Sequence, residues 1–173
     1  MKMGRVPIFG MIDVGRKPAT ARTATAVGRI VLQRATLDAI RRGTMKKGDV
    51  LAAARLAAVT GAKRTADLIP FCHPLPLTAV QVRIDEEAAG AYRRLRVTVT
   101  ARTVARTGVE MEALTGVCAA LLTIYDMCKA VDRTLAIGGI GLVHKRGGRS
   151  GVVNRSPRSI QRAMPLVARS DEP

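Results

Sequence analysis

Inside the apolar run "IYDMCKAV", residues 124–131, an aspartate and a lysine stand three positions apart, Asp126 and Lys129. On a helix such a pair is either a solvated ion pair, stabilising by ~0.2–0.5 kcal/mol, or an acid–base pair that moves protons. Glu112 of "VEMEAL" falls about 40° from Asp126 around a helix axis, with Lys129 about 60° beyond. One stripe of an otherwise apolar segment therefore carries two carboxylates and an amine. A second group is "PFCHPLPL", where Cys72 and His73, one of only 2 histidines, are held between prolines. A histidine in an ordered loop can orient a ligand or transfer a proton, or simply pack. With no second ligand pair nearby, a metal site is not expected. Lysines and arginines form the third group: Lys46 and Lys47 in "MKKGDV", Lys63 and Arg64 in "GAKRTAD", and Lys145, Arg146 and Arg149 among the glycines of "HKRGGRSG". Glycines let backbone N–H groups approach an anion; the same stretch also reads as a basic surface turn. Neither GxxxxGK[ST] nor a GxGxxG between strand and helix is present.

These groups must be positioned by one domain, since 173 residues suffice for a single core and not for two. Apolar residues are 47% of the chain, aromatic residues 2%, so aliphatic side chains fill the core. The formal charge of +16 attracts polyanions such as nucleic acid, acidic surfaces or a phosphorylated metabolite. Four aromatic residues, Phe9, Phe71, Tyr92 and Tyr125, give little stacking surface for single-stranded nucleic acid. The 3 cysteines form no CxxC, and Cys118 and Cys128 on one helix would be ~15 Å apart, too far for a disulfide. A reducing, cytoplasmic location is expected. No charge-free run reaches membrane-spanning length and no signal peptide is evident.

Residues 1–26 read as an irregular N-terminal arm, 27–150 as the folded domain and 151–173 as a mobile basic tail. "VGRIVLQR" (27–34) predicts a strand, "TLDAIRRG" a short helix with a threonine cap and Gly43 at its end, and "DVLAAARLAAVTGAKR" a helix capped by Asp49. "KRTADLIPFCHPLPL" is an irregular connection. "LTAVQVRIDE" (77–86) and "RRLRVTVTARTVAR" (93–106) alternate as hairpin strands. A long helix then runs to about Asp132, and "TLAIGGIGLVHK" closes as a strand. The order β–α(α)–β–β–α–β predicts an α+β, ferredoxin-like fold, an antiparallel sheet with helices on one face. The other face needs a cover, for which a partner subunit is the simplest. Glu112 and Asp126 are ~21 Å apart along a straight helix, so a site using both takes them from different subunits.

The blocks "KKGDV", "AKRTADLIPFCHPLPL", "TGVEMEALTGVCAALLTIYDMCKAV" and "KRGGRSG", with "MIDVGRKPATAR" before them, closely resemble the cyclic pyranopterin monophosphate synthase family. The likeness runs in order from residue 11 to about Gly151. It implies an early step of molybdenum cofactor biosynthesis: conversion of a cyclic dihydro-GTP triphosphate to cyclic pyranopterin monophosphate, a lyase reaction releasing pyrophosphate. It also implies a homohexamer, a trimer of dimers with sites at subunit interfaces, and no cofactor, although a divalent ion with the triphosphate stays open. The catalytic pair implied is Asp126 and Lys129. Phe71, Cys72, His73, Glu110, Met111 and Glu112 would line the substrate, with Lys47 and Lys145 in the same pocket and Arg22 as a phosphate contact. The chain departs from the family at "MKMGRVPIFG", at Gly15 in "MIDVG" where a serine is usual, and at Phe71 where leucine is common. Two other readings compete: a basic nucleic-acid-binding module on the same fold, and an inactive family member. The inactive reading expects Asp126, Lys129 or His73 to be lost, and all three are present.

Overall fold

The structure, a computed structural model, describes residues 9–89, 92–148 and 151–156. Among these residues five strands form one antiparallel sheet in the order β2-β3-β1-β4-β5. They are β1 (Thr20–Leu32), β2 (Leu77–Ala89), β3 (Tyr92–Ala105), β4 (Ala136–Arg146) and the short β5 (Val153–Asn154). The helices are α1 (Arg34–Arg41), α2 (Val50–Lys63), α3 (Thr65–Leu68) and α4 (Glu110–Cys128). Without β5 this is the expected ferredoxin-like arrangement, with β1 and β3 at the centre.

Alternation along the strands sorts the faces. Ala24, Ala26, Ile30 and Leu32 of β1 and Leu95, Val97, Val99 and Ala101 of β3 turn inward, where they meet Ala113, Val117, Leu121 and Ile124 of α4. Small residues set how closely the layers approach. A methyl on Gly28 would sit 2.7 Å from both Leu121 Cδ1 and Val117 Cγ1, and one on Gly61 of α2 would sit 2.6 Å from Ala119 Cβ of α4. Helix α4 is also long and apolar enough in composition to cross a membrane, but half of that stretch is buried in this core. On the opposite face, Arg29 and Arg96 each reach Glu87 at 2.9 Å, while Arg96 and Arg83 share Asp85 at 3.0 and 2.7 Å. The face expected to need a cover is thus laced with charge over β2, β3 and β1.

Several boundaries differ from the sequence reading. β1 starts at Thr20 rather than Val27, so seven residues read as arm are strand, and it ends before Gln33. Thr36 does not cap α1: the helix starts at Arg34 and Thr36 is buried, its hydroxyl donating to Asp132 Oδ2 at 2.9 Å. Helix α4 stops at Cys128, leaving Lys129 as its C-cap and Asp132 in the loop beyond. α3 forms within the segment read as irregular. Residues 153–154, read as mobile tail, are β5. Asp49 does cap α2, accepting from Ala52 N at 2.9 Å, and Gly43 follows α1 with φ +66°. Arg149 and the arm and tail residues 1–8 and 157–173 lie outside the described residues.

Candidate active site

The expected site residues fall into two groups, at opposite ends of α4. The first turn of α4 holds Glu110, Met111 and Glu112. Lys145 comes from β4, beside β1 at Ala24, and donates to Glu110 Oε1 at 3.1 Å. The proline-rich segment before β2 lays Phe71, Cys72 and His73 over the same end. With Met111, Glu112 and Lys145 they line a cavity of about 530 Å³. Phe71 is half exposed and meets the Phe9 ring edge-on, centroids 5.7 Å apart.

Glu112 is only 4% exposed, and its Oε2 is buried with no hydrogen-bond partner among the described residues. Burial disfavours its charged form and pushes its carboxyl above the ordinary value, with the Glu110 charge adding to that. The Cys72 thiol is likewise raised, by burial first and then by Glu112, the opposite of what a thiolate nucleophile needs.

This cavity continues into a larger one of about 850 Å³, sharing Thr107, Gly108, Glu110 and Lys145 with it. Arg16, Lys17, Arg22 and Arg106 line the extension, against one further acid, Asp13. Arg22 lies across Gly147 and Gly148, whose φ values of 107° and 79° suit glycine. A side chain at Gly148 would run into the Arg22 guanidinium. Arg22 Nε is buried without a partner among the described residues, while Arg106 Nη1 donates to Gly15 O at 2.7 Å and fixes the arm that carries Arg16 and Lys17. The arginines of this extension were not singled out by the sequence apart from Arg22.

At the other end of α4, Asp126 lies between two ammonium groups. Lys129 Nζ is 2.8 Å from Oδ1; Lys47 Nζ is 2.6 Å from Oδ2 and 3.2 Å from the Asp126 carbonyl. Lys47 follows α1 in the turn closed by Gly48, φ +91°. All three side chains are about half exposed. Hydrogen bonds from Lys129 and then Lys47 bring the Asp126 carboxyl down to about 2, and Asp126 in turn raises Lys129. Both groups are driven away from neutrality, which makes the resting carboxylate a poor base and the resting ammonium a poor acid.

The C-terminal end is held by Asp132, 1% exposed. Its Oδ2 accepts from Gln33 N (2.8 Å) and Thr36 Oγ1 (2.9 Å), and its Oδ1 from Thr134 N (2.8 Å) and Oγ1 (2.7 Å). The start of α1 and the chain leaving α4 are thereby joined, and with them the two segments that present Lys47 and Lys129. Lys47 and Lys145, expected in one pocket, occupy the two separate groups within this chain. Among the described residues no three His, Cys, Asp or Glu side chains are placed to hold one metal ion.

Comparison with known proteins bears on this geometry. The cyclic pyranopterin monophosphate synthase of Chloroflexus aggregans is 57% identical over 141 residues, which is 82% of this chain and 84% of that protein. Proteins named cyclic pyranopterin monophosphate synthase 1 from Mycobacterium bovis and Mycobacterium tuberculosis are each 54% identical over 150 residues, 87% of this chain and 86% of theirs. The MoaC family model matches residues 11–148, a span containing both residue groups. The chain belongs to the MoaC family.

Proposed function

We propose that the chain is an enzyme of molybdenum cofactor biosynthesis that converts the cyclic dihydro-GTP triphosphate to cyclic pyranopterin monophosphate and pyrophosphate, at a site completed between two subunits. The observation that carries the shared site is the separation of the two groups on one helix. Glu112 and Asp126 stand ~21 Å apart at 1.5 Å per residue, and each group lacks what the other holds.

Helix α4 offers a means of joining them. Met111, Leu122 and Tyr125 are exposed at 37%, 62% and 39%, and with Cys118 they fall within ~60° of one another around the axis. This apolar stripe runs beside Asp126 and Lys129. Its natural occupant is the same stripe of a second copy. An antiparallel pairing about Ala119, the midpoint of α4, brings residue 126 of one copy level with residue 112 of the other. The larger assembly, a hexamer, would repeat such pairs.

In this site the basic extension around Arg16, Lys17, Arg22 and Arg106 binds the triphosphate and stabilises the departing pyrophosphate. The smaller cavity takes the guanine-derived ring, with His73 and the buried, otherwise unpartnered Glu112 as hydrogen-bond partners. Asp126 is the base and Lys129 the acid. Substrate phosphates compete with Asp126 for Lys47; losing that partner raises the basicity of Asp126 only when substrate is bound. Release of pyrophosphate breaks the bond from the α-phosphorus to its bridging oxygen as a substrate oxygen bonds to that phosphorus.

The test is incubation with the cyclic dihydro-GTP triphosphate, reading pterin and pyrophosphate. The parent is expected to turn over and Asp126→Ala to lose ~10³-fold in kcat. Asp126→Ala and His73→Ala, each inactive, are then co-expressed. Shared sites restore about a quarter of parent activity, since half of the pairs are mixed and each carries one intact site. No restoration in folded mixed oligomers would place the whole site in one chain.

A further inference from the structure

The family model ends at residue 148, and the residues just after it return to the cavity. Gly147, Gly148 and Gly151 all have positive φ (107°, 79° and 63°), a sequence of turns that reverses the chain after β4. Gly151 N donates to Gly148 O at 3.2 Å. β5 then pairs with the strand it has just left, Val153 opposite Lys145 and Asn154 opposite His144. Two further bonds fix it: Arg155 N to Val143 O at 2.7 Å, and Asn154 Oδ1 with His144 Nδ1 at 2.7 Å. The register is therefore set, and it brings Val153 and Arg155 to the wall of the smaller cavity.

The charges there make Arg155 distinct. Lys145 is engaged by Glu110, and burial favours the uncharged form of Glu112. The Arg155 guanidinium has no carboxylate within ion-pair distance among the described residues. An exposed arginine on a basic protein ordinarily needs no ligand. This one is pinned beside a concave site that is continuous with a cluster of four other cations, Arg16, Lys17, Arg22 and Arg106.

We infer that Arg155 is a further substrate-binding residue, reaching from the wall of the smaller cavity, which holds the ring, to the ligand phosphate nearest that ring, where the cavity opens into the basic extension at Lys145. Its planar fork of donors matches phosphate oxygens in pairs, which a lysine cannot reproduce fully. The segment beyond the family match is thus a wall of the site. This inference deepens the proposed function and rests on it for the identity of the ligand, but its test does not need turnover.

Binding of inorganic tripolyphosphate and, separately, of guanosine is measured by calorimetry on the full-length protein at fixed salt. Arg155→Ala is expected to weaken tripolyphosphate about tenfold, to change guanosine less than twofold and to leave Tm unmoved. Arg155→Lys recovers part of the loss. Arg55→Ala, which removes an exposed charge of α2 outside both cavities, sets the effect of net charge alone. Equal losses in Arg155→Ala and Arg55→Ala overturn the inference, as does a loss confined to guanosine or a parent that binds neither probe. A parent that binds tripolyphosphate through Arg155 but never turns over the cyclic triphosphate leaves the inference standing and removes the proposed reaction. With turnover, Arg155→Ala raises KM about tenfold and holds kcat within about twofold.

Discussion

The two ends of α4 treat a carboxyl group in opposite ways. At the N-terminal end Glu112 is buried among Cys72, Glu110 and the cavity wall, and its carboxyl is raised. At the C-terminal end Asp126 is half exposed between Lys47 and Lys129 and is lowered to about 2. Burial acts on the first and paired cations on the second. One helix thus presents one carboxyl group that gives up its proton less readily than usual and one that gives it up more readily. The chemistry of each end is set by what the rest of the fold brings to it.

Amide substitutions test that difference most severely. Asp126→Asn removes the negative charge that both lysines use and is expected to lower kcat by ~10³-fold. Glu112→Gln keeps the shape and a hydrogen-bond donor, and kcat is expected to stay within about tenfold of the parent. Equal losses in steady-state assays would break the comparison. Next in size is Asp132→Ala, which leaves four donors around a buried position and acts on the C-terminal end alone. A cost of about 3 kcal/mol should lower Tm by roughly 6–12 °C, seen by calorimetry, with the tripolyphosphate affinity of the other end kept. Gly28→Ala should cost about 1–3 kcal/mol by overpacking β1 against the middle of α4, and a thermal melt within error of the parent would show that the layers can separate.

The smallest effects are the most specific, and they run in opposite directions with pH. For Glu112 the folded-state value is raised, so its contribution to stability is present below the unfolded value of ~4.3 and lost as pH rises through the folded one. Glu112→Gln should therefore gain in Tm relative to the parent as pH increases. For Asp126 the folded-state value is lowered, so its contribution is present above ~3.9 and lost as pH falls through about 2. Asp126→Asn should lose relative to the parent above pH ~4 and converge with it in stronger acid. Lys47→Ala should move that acid limb upward, because it removes the second of the two bonds to the carboxylate. Parallel Tm–pH curves for the two amide variants would deny the contrast.

Much of the fold was legible because its signals are local. Alternation marked β2 and β3, apolar length marked α4, and Asp49 and Gly43 marked helix ends. The first half of β1 was not: "TARTATA" is small and polar, and becomes strand because β3 pairs along all of it and β4 pairs with it from Thr23 onward. Propensity yields there to tertiary pairing. Thr36 looked like a cap, but the group serving the start of α1 is Asp132, 99 residues beyond Gln33, a distance no local pattern spans. The proximity of Asp126 to Lys129 could be read from spacing, and the need to separate them from Glu112 followed from helix rise. That Lys47 is the third member, and that Glu112 is buried while Asp126 is exposed, depends on how α1, α2 and the Pro-rich segment close on α4.

Helix α4 also constrains what variation the chain can accept. Its central apolar residues can change in kind where volume is kept, since Leu, Ile and Met exchange with modest loss. They cannot change in number. One residue inserted between Ala113 and Tyr125 would turn Asp126 by about 100° relative to Glu112 and carry it about 1.5 Å further away. Lineages descending from this sequence should therefore keep the length of that interval fixed even where they have replaced most of its letters.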